Sequence, residues 1–196
     1  MKYFSTLPKI FTNDNNGNSI ILTNLLARAI VINETFDNTL LYYNYDIQEG
    51  DTPEIIAHKY YGDMYRYWIV LLSNSIMDPQ WDWPMTGVVF QDYVQGKYGT
   101  TIGDIHHYEK TLTQYDETTL TTTTNTVFIS ETDYDNLTTG TDSYTLPTGT
   151  MSVTTTKRSV DNYNYEFELN ESKRSIRLLN RNYVSDFENQ FKSLMN

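Results

Sequence analysis

His106 and His107, with Glu109 two positions on, come nearest to a metal-ligand set in this sequence. Metal sites bring their ligands to one face, for example at i and i+4 of a helix, whereas adjacent side chains diverge. The group reads as a polar turn, and no metal or other cofactor is expected. Asp133 and Asp135 open a stretch like a calcium loop, but the required Gly is missing and Asp142 does not supply the closing Glu. Glu34, Asp37, Glu49, Asp51 and Glu54 offer carboxylate pairs of the kind that cleave glycosides. Among 25 acidic residues such pairs have little specificity, and helix capping accounts for Asp51 and Glu54. There is no Gly-x-Ser-x-Gly, phosphate loop or dinucleotide fingerprint. Three histidines and no cysteine do not assemble a nucleophile and its base. No enzymatic activity is expected.

Aromatic residues offer a second chemistry, stacking on sugar rings. Trp68 falls on the apolar face of a helix and is expected in the core. Trp81 and Trp83 sit beside Pro84 in a loop, where an interface or a cover over neighbouring helices is the simpler task.

The elements that would position these residues lie in a chain of unusual composition. Its 196 residues carry 14 basic and 25 acidic side chains, a net charge of -11. That argues against nucleic-acid binding, which needs a basic surface. The absence of cysteine excludes disulfides and thiolate metal sites. The N-terminal residues hold no secretory apolar core, and no run approaches the ~18 apolar residues of a membrane span. A soluble protein made in a cytoplasm is expected. Seventeen tyrosines suit interfaces, since the ring is apolar and its tip polar. Of 28 threonines, 19 fall within residues 111–156, a stretch without Lys or Arg.

The first 40 residues read as an extended or helical arm. A polar turn over residues 13–18 precedes Leu22, Leu25, Leu26, Ala29 and Ile30, whose spacing predicts a helical stripe. Alternatively, Ile30, Val31 and Ile32 begin a strand. Residues 41–47 alternate as a strand does. Gly50 turns the chain, Thr52 caps a helix opening at Pro53, and Ile55, Ile56, Ala57 and Tyr60 supply its buried side. Gly62 stops it. Asp63 caps a second helix whose Met64, Trp68, Leu71 and Leu72 share a face. A third short helix carries Val89, Phe90, Tyr93 and Val94.

Residues 111–156 admit two readings, a low-complexity linker or a small β module with polar faces and a thin core. The β module is favoured, because Val127, Phe128, Ile129, Tyr144, Met151 and Val153 give it something to bury. Tyr163, Tyr165, Phe167 and Leu169 alternate with polar residues, which predicts a strand. Asn170 then caps a long helix running to about residue 195. Ile176, Leu179, Tyr183, Phe187, Phe191 and Leu194 form its seam, with Arg174 and Arg177 in the flanking basic cluster. This helix either folds back on its own domain or lies along a partner, with Phe187 and Phe191 as anchors. In the second case, replacing both phenylalanines by alanine blocks assembly without unfolding the LysM-like part. The fold class is α+β.

Residues 47–57, Tyr60-Tyr61-Gly62 and residues 68–74 resemble a LysM module, with Gly50, Asp51, Thr52, Ile56, Tyr61, Gly62 and Trp68 carrying the motif. The resemblance covers a strand and two helices. The second strand of the module is not evident after the second helix, where residues 78–84 stand instead. It implies peptidoglycan binding as an alternative function, centred on Tyr60, Tyr61 and Trp81. The divisions expected are the arm at 1–40, a LysM-like domain at 41–99, a Thr-rich β region at 100–169 and the terminal helix at 170–196.

More of the chain resembles a narrower family. Residues 1–10, Leu25-Leu26-Ala27-Arg28-Ala29, the LysM-like stretch, residues 81–84, Lys97-Tyr98-Gly99, Ile105-His106-His107-Tyr108 and Asn170-Glu171-Ser172-Lys173-Arg174 are similar to baseplate wedge proteins of T-even-type contractile-tailed phages, the gene product 53 family. That resemblance implies a structural subunit of the virion tail, one per wedge and six per baseplate, assembled in the host cytoplasm. It implies a clamp on the helical core bundle of two other wedge proteins. Contacts with the sheath-initiating subunit and with the neighbouring wedge are implied too.

Overall fold

The computed structural model describes residues 2–27, 40–147 and 149–195. The proposed helical residues Ala29 and Ile30, the alternative strand at Ile30, Val31 and Ile32, and the carboxylates Glu34 and Asp37 lie outside the described residues. The fold is α+β. Two compact units are present, residues 1–86 with 171–196, and residues 87–170. The first is therefore discontinuous in sequence. The helix carrying Phe90 belongs to the second unit, and the C-terminal residues to the first.

The first unit opens with a hairpin, β1 (Lys9–Asn13) and β2 (Ser19–Thr23), paired antiparallel with Phe11 opposite Ile21. Asp14 closes its turn by accepting the backbone N–H groups of Asn16 and Asn18, both at 2.8 Å. Gly17 takes a φ of +84°, which glycine adopts without strain. Residues 19–23 are thus a strand, and the helical stripe expected from Leu22 onward does not begin there. Its 3- and 4-residue spacing competes with a β-branched run that a turn delivers to a partner strand.

The rest of the unit is a strand, two helices and a returning strand. β3 (Tyr42–Asp46) leads into α1 (Pro53–Tyr61), and a 3-10 turn leads to α2 (Tyr67–Ser73). Thr52 caps α1 by accepting the Ile55 N–H at 3.3 Å, and Gly62 ends it in the left-handed region. α1 buries Ile56, Ala57 and Tyr61, while Ile55 faces outward. α2 buries Trp68, Ile69 and Val70. The short helix α3 (Pro79–Asp82) follows.

β8 (Ser175–Leu179) closes the unit, antiparallel to β3, with Tyr42 opposite Leu179 and Asp46 opposite Ser175. A short 3-10 turn then leads into α7 (Val184–Met195). The long helix expected from residue 170 is therefore replaced by the end of a helix, a strand and a shorter helix. Ile176, Leu178 and Leu179 are buried on β8 beneath the helices. Strand pairing there satisfies backbone groups that a continuous helix would satisfy internally, and it packs three aliphatic side chains into the core.

The second unit holds α4 (Gly87–Tyr98), β4 (Ile105–Asp116), β5 (Thr121–Ile129), α5 (Glu131–Asn136), β6 (Gly140–Leu146), β7 (Gly149–Asp161) and α6 (Asn162–Ser172). The Thr-rich region is a four-stranded antiparallel sheet in the order β5-β4-β7-β6. One rank across it reads Thr124, Thr113, Thr154 and Thr141. Threonine's branched, half-polar side chain suits such a wet pleated surface. Among the described residues of this unit the buried apolar side chains are Phe90, Val94 and Val160, so its core is thin.

Residues 163–169 form helix α6, and the alternating strand expected there is not present. The aromatic residues do alternate. The buried positions of α6, however, are Glu166 and Asn170, one helical turn apart. Glu166 accepts Lys97 Nζ at 2.7 Å and the Tyr98 hydroxyl at 2.8 Å, both from the α4 region. Burial alone would raise the Glu166 carboxyl, but those hydrogen bonds outweigh it and hold the group below its ordinary value.

Candidate partner-binding surfaces

The Gly50-Asp51-Thr52 turn is a structural lock. Gly50 has a φ of +81°, which places Asp51 against the start of α1. The Asp51 carboxylate accepts Lys59 Nζ at 2.6 Å, the Tyr45 hydroxyl at 2.6 Å and the Gln48 N–H at 3.1 Å. Its backbone carbonyl accepts Trp83 Nε1 at 2.9 Å. Burial pushes the carboxyl up, but the hydrogen bonds from Lys59 and Tyr45 outweigh it, and the group is held below its usual range. Donating to that carboxylate pushes the Tyr45 hydroxyl up to about 12. Capping falls to Thr52 alone, and Asp51 instead ties β3, α1 and the Trp83 loop together.

The three aromatic residues on which the glycan-binding alternative centres, Tyr60, Tyr61 and Trp81, differ in exposure. Tyr61 is buried in the core. Tyr60 carries the Arg181 guanidinium 4.7 Å above its ring. Trp81 is exposed, while Trp68 packs 4.7 Å from Phe191 in the interior. In the second unit, His106 stacks on Tyr165 at 3.8 Å, and the His106 and His107 Nδ1 atoms lie 2.8 Å apart. His107 Nε2 meets Glu109 at 3.1 Å, and Arg158 also binds Glu109. Among the described residues no group of three or more His, Cys, Asp or Glu side chains converges on a metal position.

The residues expected to line a partner helix are dispersed. Ile176 and Leu179 are core residues of β8, and Phe191 of α7 is 3% exposed. Contact with a partner through these three requires unpacking the core, so their apolar seam is explained within the chain. Phe187 is partly buried and stacks on Trp68 at 5.9 Å. Arg174 pairs with Glu171 at 2.7 Å and reaches the Ile47 carbonyl. Arg177 lies over the Tyr42 ring. Tyr183 and Leu194 remain exposed, the latter at 75%.

Among the described residues of the first unit, a run of exposed apolar side chains lies instead on the β1–β2 hairpin. Phe11 is 77% exposed and Ile21 62%, and Ile10, Ile20 and Leu22 are also exposed. Neither strand has a buried position. Phe11 and Ile21 occupy one face, and Ile10 and Leu22 the other, because successive side chains alternate. Leu7 at the root is buried, and Tyr3 packs 5.5 Å from Phe191, so the arm is anchored at its base. Leu25 and Leu26 extend the exposed apolar surface. The signal was present in the sequence as two β-branched runs flanking a Gly-containing polar turn.

The sequence model of a family described as base plate wedge protein 53 matches residues 9–194. No curated protein matches the chain. Among the described residues no helix is long and apolar enough to cross a membrane. The chain belongs to the base plate wedge protein 53 family and is a structural component of the phage tail baseplate.

Proposed function

We propose that this baseplate wedge protein acts as a clamp, in which a LysM-like platform carries an apolar arm that closes on the helical bundle of the core wedge proteins. The observation that carries the reading is the β1–β2 hairpin, whose two faces both expose large apolar side chains. A lone two-stranded hairpin is marginal in water. Burying its aliphatic and aromatic surface on a partner supplies what its own chain does not, at roughly 25 cal/mol for each Å² removed from water. The strand–helix–helix–strand core, closed by β8, supports the LysM-like description. Contact with the neighbouring wedge and with the sheath-initiating subunit, six copies in the ring and assembly in the host cytoplasm complete the proposal.

The test is affinity purification of the tagged full chain from cells producing the other tail proteins, with quantitative mass spectrometry. A fixed-ratio set of wedge subunits is expected with the native sequence. A chain with Phe11→Ser and Ile21→Ser should lose that set while its melting temperature stays unchanged. Recovery of the native chain alone, or with cell-wall fragments only, overturns the clamp and favours the glycan-binding alternative.

A further inference from the structure

The outer edge of β5 has the properties of a strand-addition site. β5 is a terminal strand of the four-stranded sheet, and among the described residues only its inner edge is paired. That pairing runs in unbroken register from Asp116 opposite Thr121 to Tyr108 opposite Ile129. With no bulge in its pairing, the strand runs continuously over nine residues, about 30 Å at 3.4 Å per residue. All but the last of those residues are exposed.

Protein sheets ordinarily blunt such edges with lysine, proline, inward charges, bulges or very short strands. β5 has none of these. Its sequence, Thr-Thr-Thr-Thr-Asn-Thr-Val-Phe-Ile, is uncharged and β-prone. The opposite edge strand, β6, is shorter and carries Asp142. The two edges of one sheet are therefore treated differently.

Charge selects the occupant. Asp116 ends β4 opposite Thr121, Glu117 follows it in the turn, and Glu131, Asp133 and Asp135 follow the end of β5 on α5. No Lys or Arg lies between residues 111 and 156; Lys110, opposite Val127, and Lys157, which donates to the Tyr134 carbonyl, stand beside the Ile129 end, where the three carboxylates outnumber them. An uncharged edge bracketed by carboxylates at both ends repels a second copy of itself. It complements a strand with a neutral centre and basic ends.

We infer that β5 receives an extended segment of a partner protein, neutral in its centre and basic at both ends, as a fifth strand of the sheet. Backbone hydrogen bonds supply the affinity and the acidic brackets set the register. Phe128, 73% exposed, and Val127 offer contacts on opposite faces of the added strand.

The test uses the full chain and a fluorescent synthetic peptide with an alternating Thr-Val centre, matched in length to β5, and Lys-Arg at each end. Saturable binding is expected, weakening as salt rises, with amide-exchange protection gained over residues 121–129. Two peptides N-methylated on alternate amide sets should differ, one abolishing binding and the other preserving it, because alternate amides of a strand face opposite edges. Replacing the basic ends with glutamate should lower affinity at least ~10-fold. Glu117→Gln with Asp135→Asn should weaken binding several-fold without changing the melting temperature. Absence of saturable binding, equal binding by the two methylated peptides, or protection away from β5 overturns the inference. Self-association of the chain with β5 protected in the absence of peptide also overturns it, assigning the edge to a second copy.

Discussion

The side-chain amide of Asn74 pairs with both backbone groups of Arg177. Asn74 Nδ2 donates to the Arg177 carbonyl at 2.8 Å, and its Oδ1 accepts the Arg177 N–H at 2.8 Å. The same Nδ2 also donates to the Val70 carbonyl at 2.8 Å. One side chain thus does for the free edge of β8 what a neighbouring strand would do. Asn74→Ala should cost about 2–3 kcal/mol, because half-buried backbone groups lose their partner. Asn74→Asp should cost more at neutral pH, since it sets carboxylate lone pairs against two carbonyls. Urea unfolding of the three proteins checks the order.

Asp51 and Tyr45 give the protein two pH limits of opposite sign. The Asp51 carboxyl is depressed when folded, so its contribution is present above the ordinary aspartate range and fades as pH falls through the folded value. The Tyr45 hydroxyl is raised from 10.0 to about 12, so its contribution is full below pH ~10 and is lost as pH rises toward 12. Tyr45→Phe should reduce the alkaline limb of a stability profile and leave most of the acid limb. Asp51→Asn should reduce both. Thermal melts across pH measure this.

Phe191→Ala should destabilise by about 3–5 kcal/mol, the usual range for emptying a buried aromatic site. Its ring packs against Trp68 at 4.7 Å and Tyr3 at 5.5 Å. Phe187→Ala, at a half-buried position, should cost about 1–2 kcal/mol. The double variant should then approach the total stability of a small domain and lose its fold. Circular dichroism and exchange protection of α1 report that loss directly, whether or not partners are present.

Gly62 occupies a φ of +71° with open space where a Cβ would stand. Gly62→Ala should cost about 1 kcal/mol through backbone conformation alone. Gly62→Asn should cost less, since asparagine tolerates the left-handed region. Melting temperatures of the pair check both.

The legible parts of this fold are those in which local chemistry decides. Thr52, Pro53 and Gly62 mark both ends of α1 by capping and by φ, and the threonine runs mark the sheet by shape. β8 was illegible because its partner, β3, lies far off in the chain. Ile176, Leu179 and Tyr183 happen to fall at helical steps across a strand and a turn. α6 is hidden in the sequence because its buried positions are Glu166 and Asn170, while the apolar alternation follows side chains such as Tyr163 and Phe167 that stay exposed. Asp161 accepting the Asn164 N–H at 2.7 Å is an N-terminal helix signal that outweighs that alternation. The candidate partner surface moved from the terminal helix to the hairpin for the same reason. A long apolar seam in sequence does not reveal whether its own chain already covers it.

The antiparallel pairing of β3 with β8 also sets a schedule on the ribosome. Translation at about 5–20 residues per second separates the emergence of the two strands by on the order of ten seconds. During that interval Ile56, Ala57, Trp68 and Ile69 have no β8 aliphatics to pack on. The intervening unit, whose helices and sheet are contiguous in sequence, can fold in the meantime. Its formation shortens the span that β8 must search to reach β3, lowering the entropy cost of that late closure.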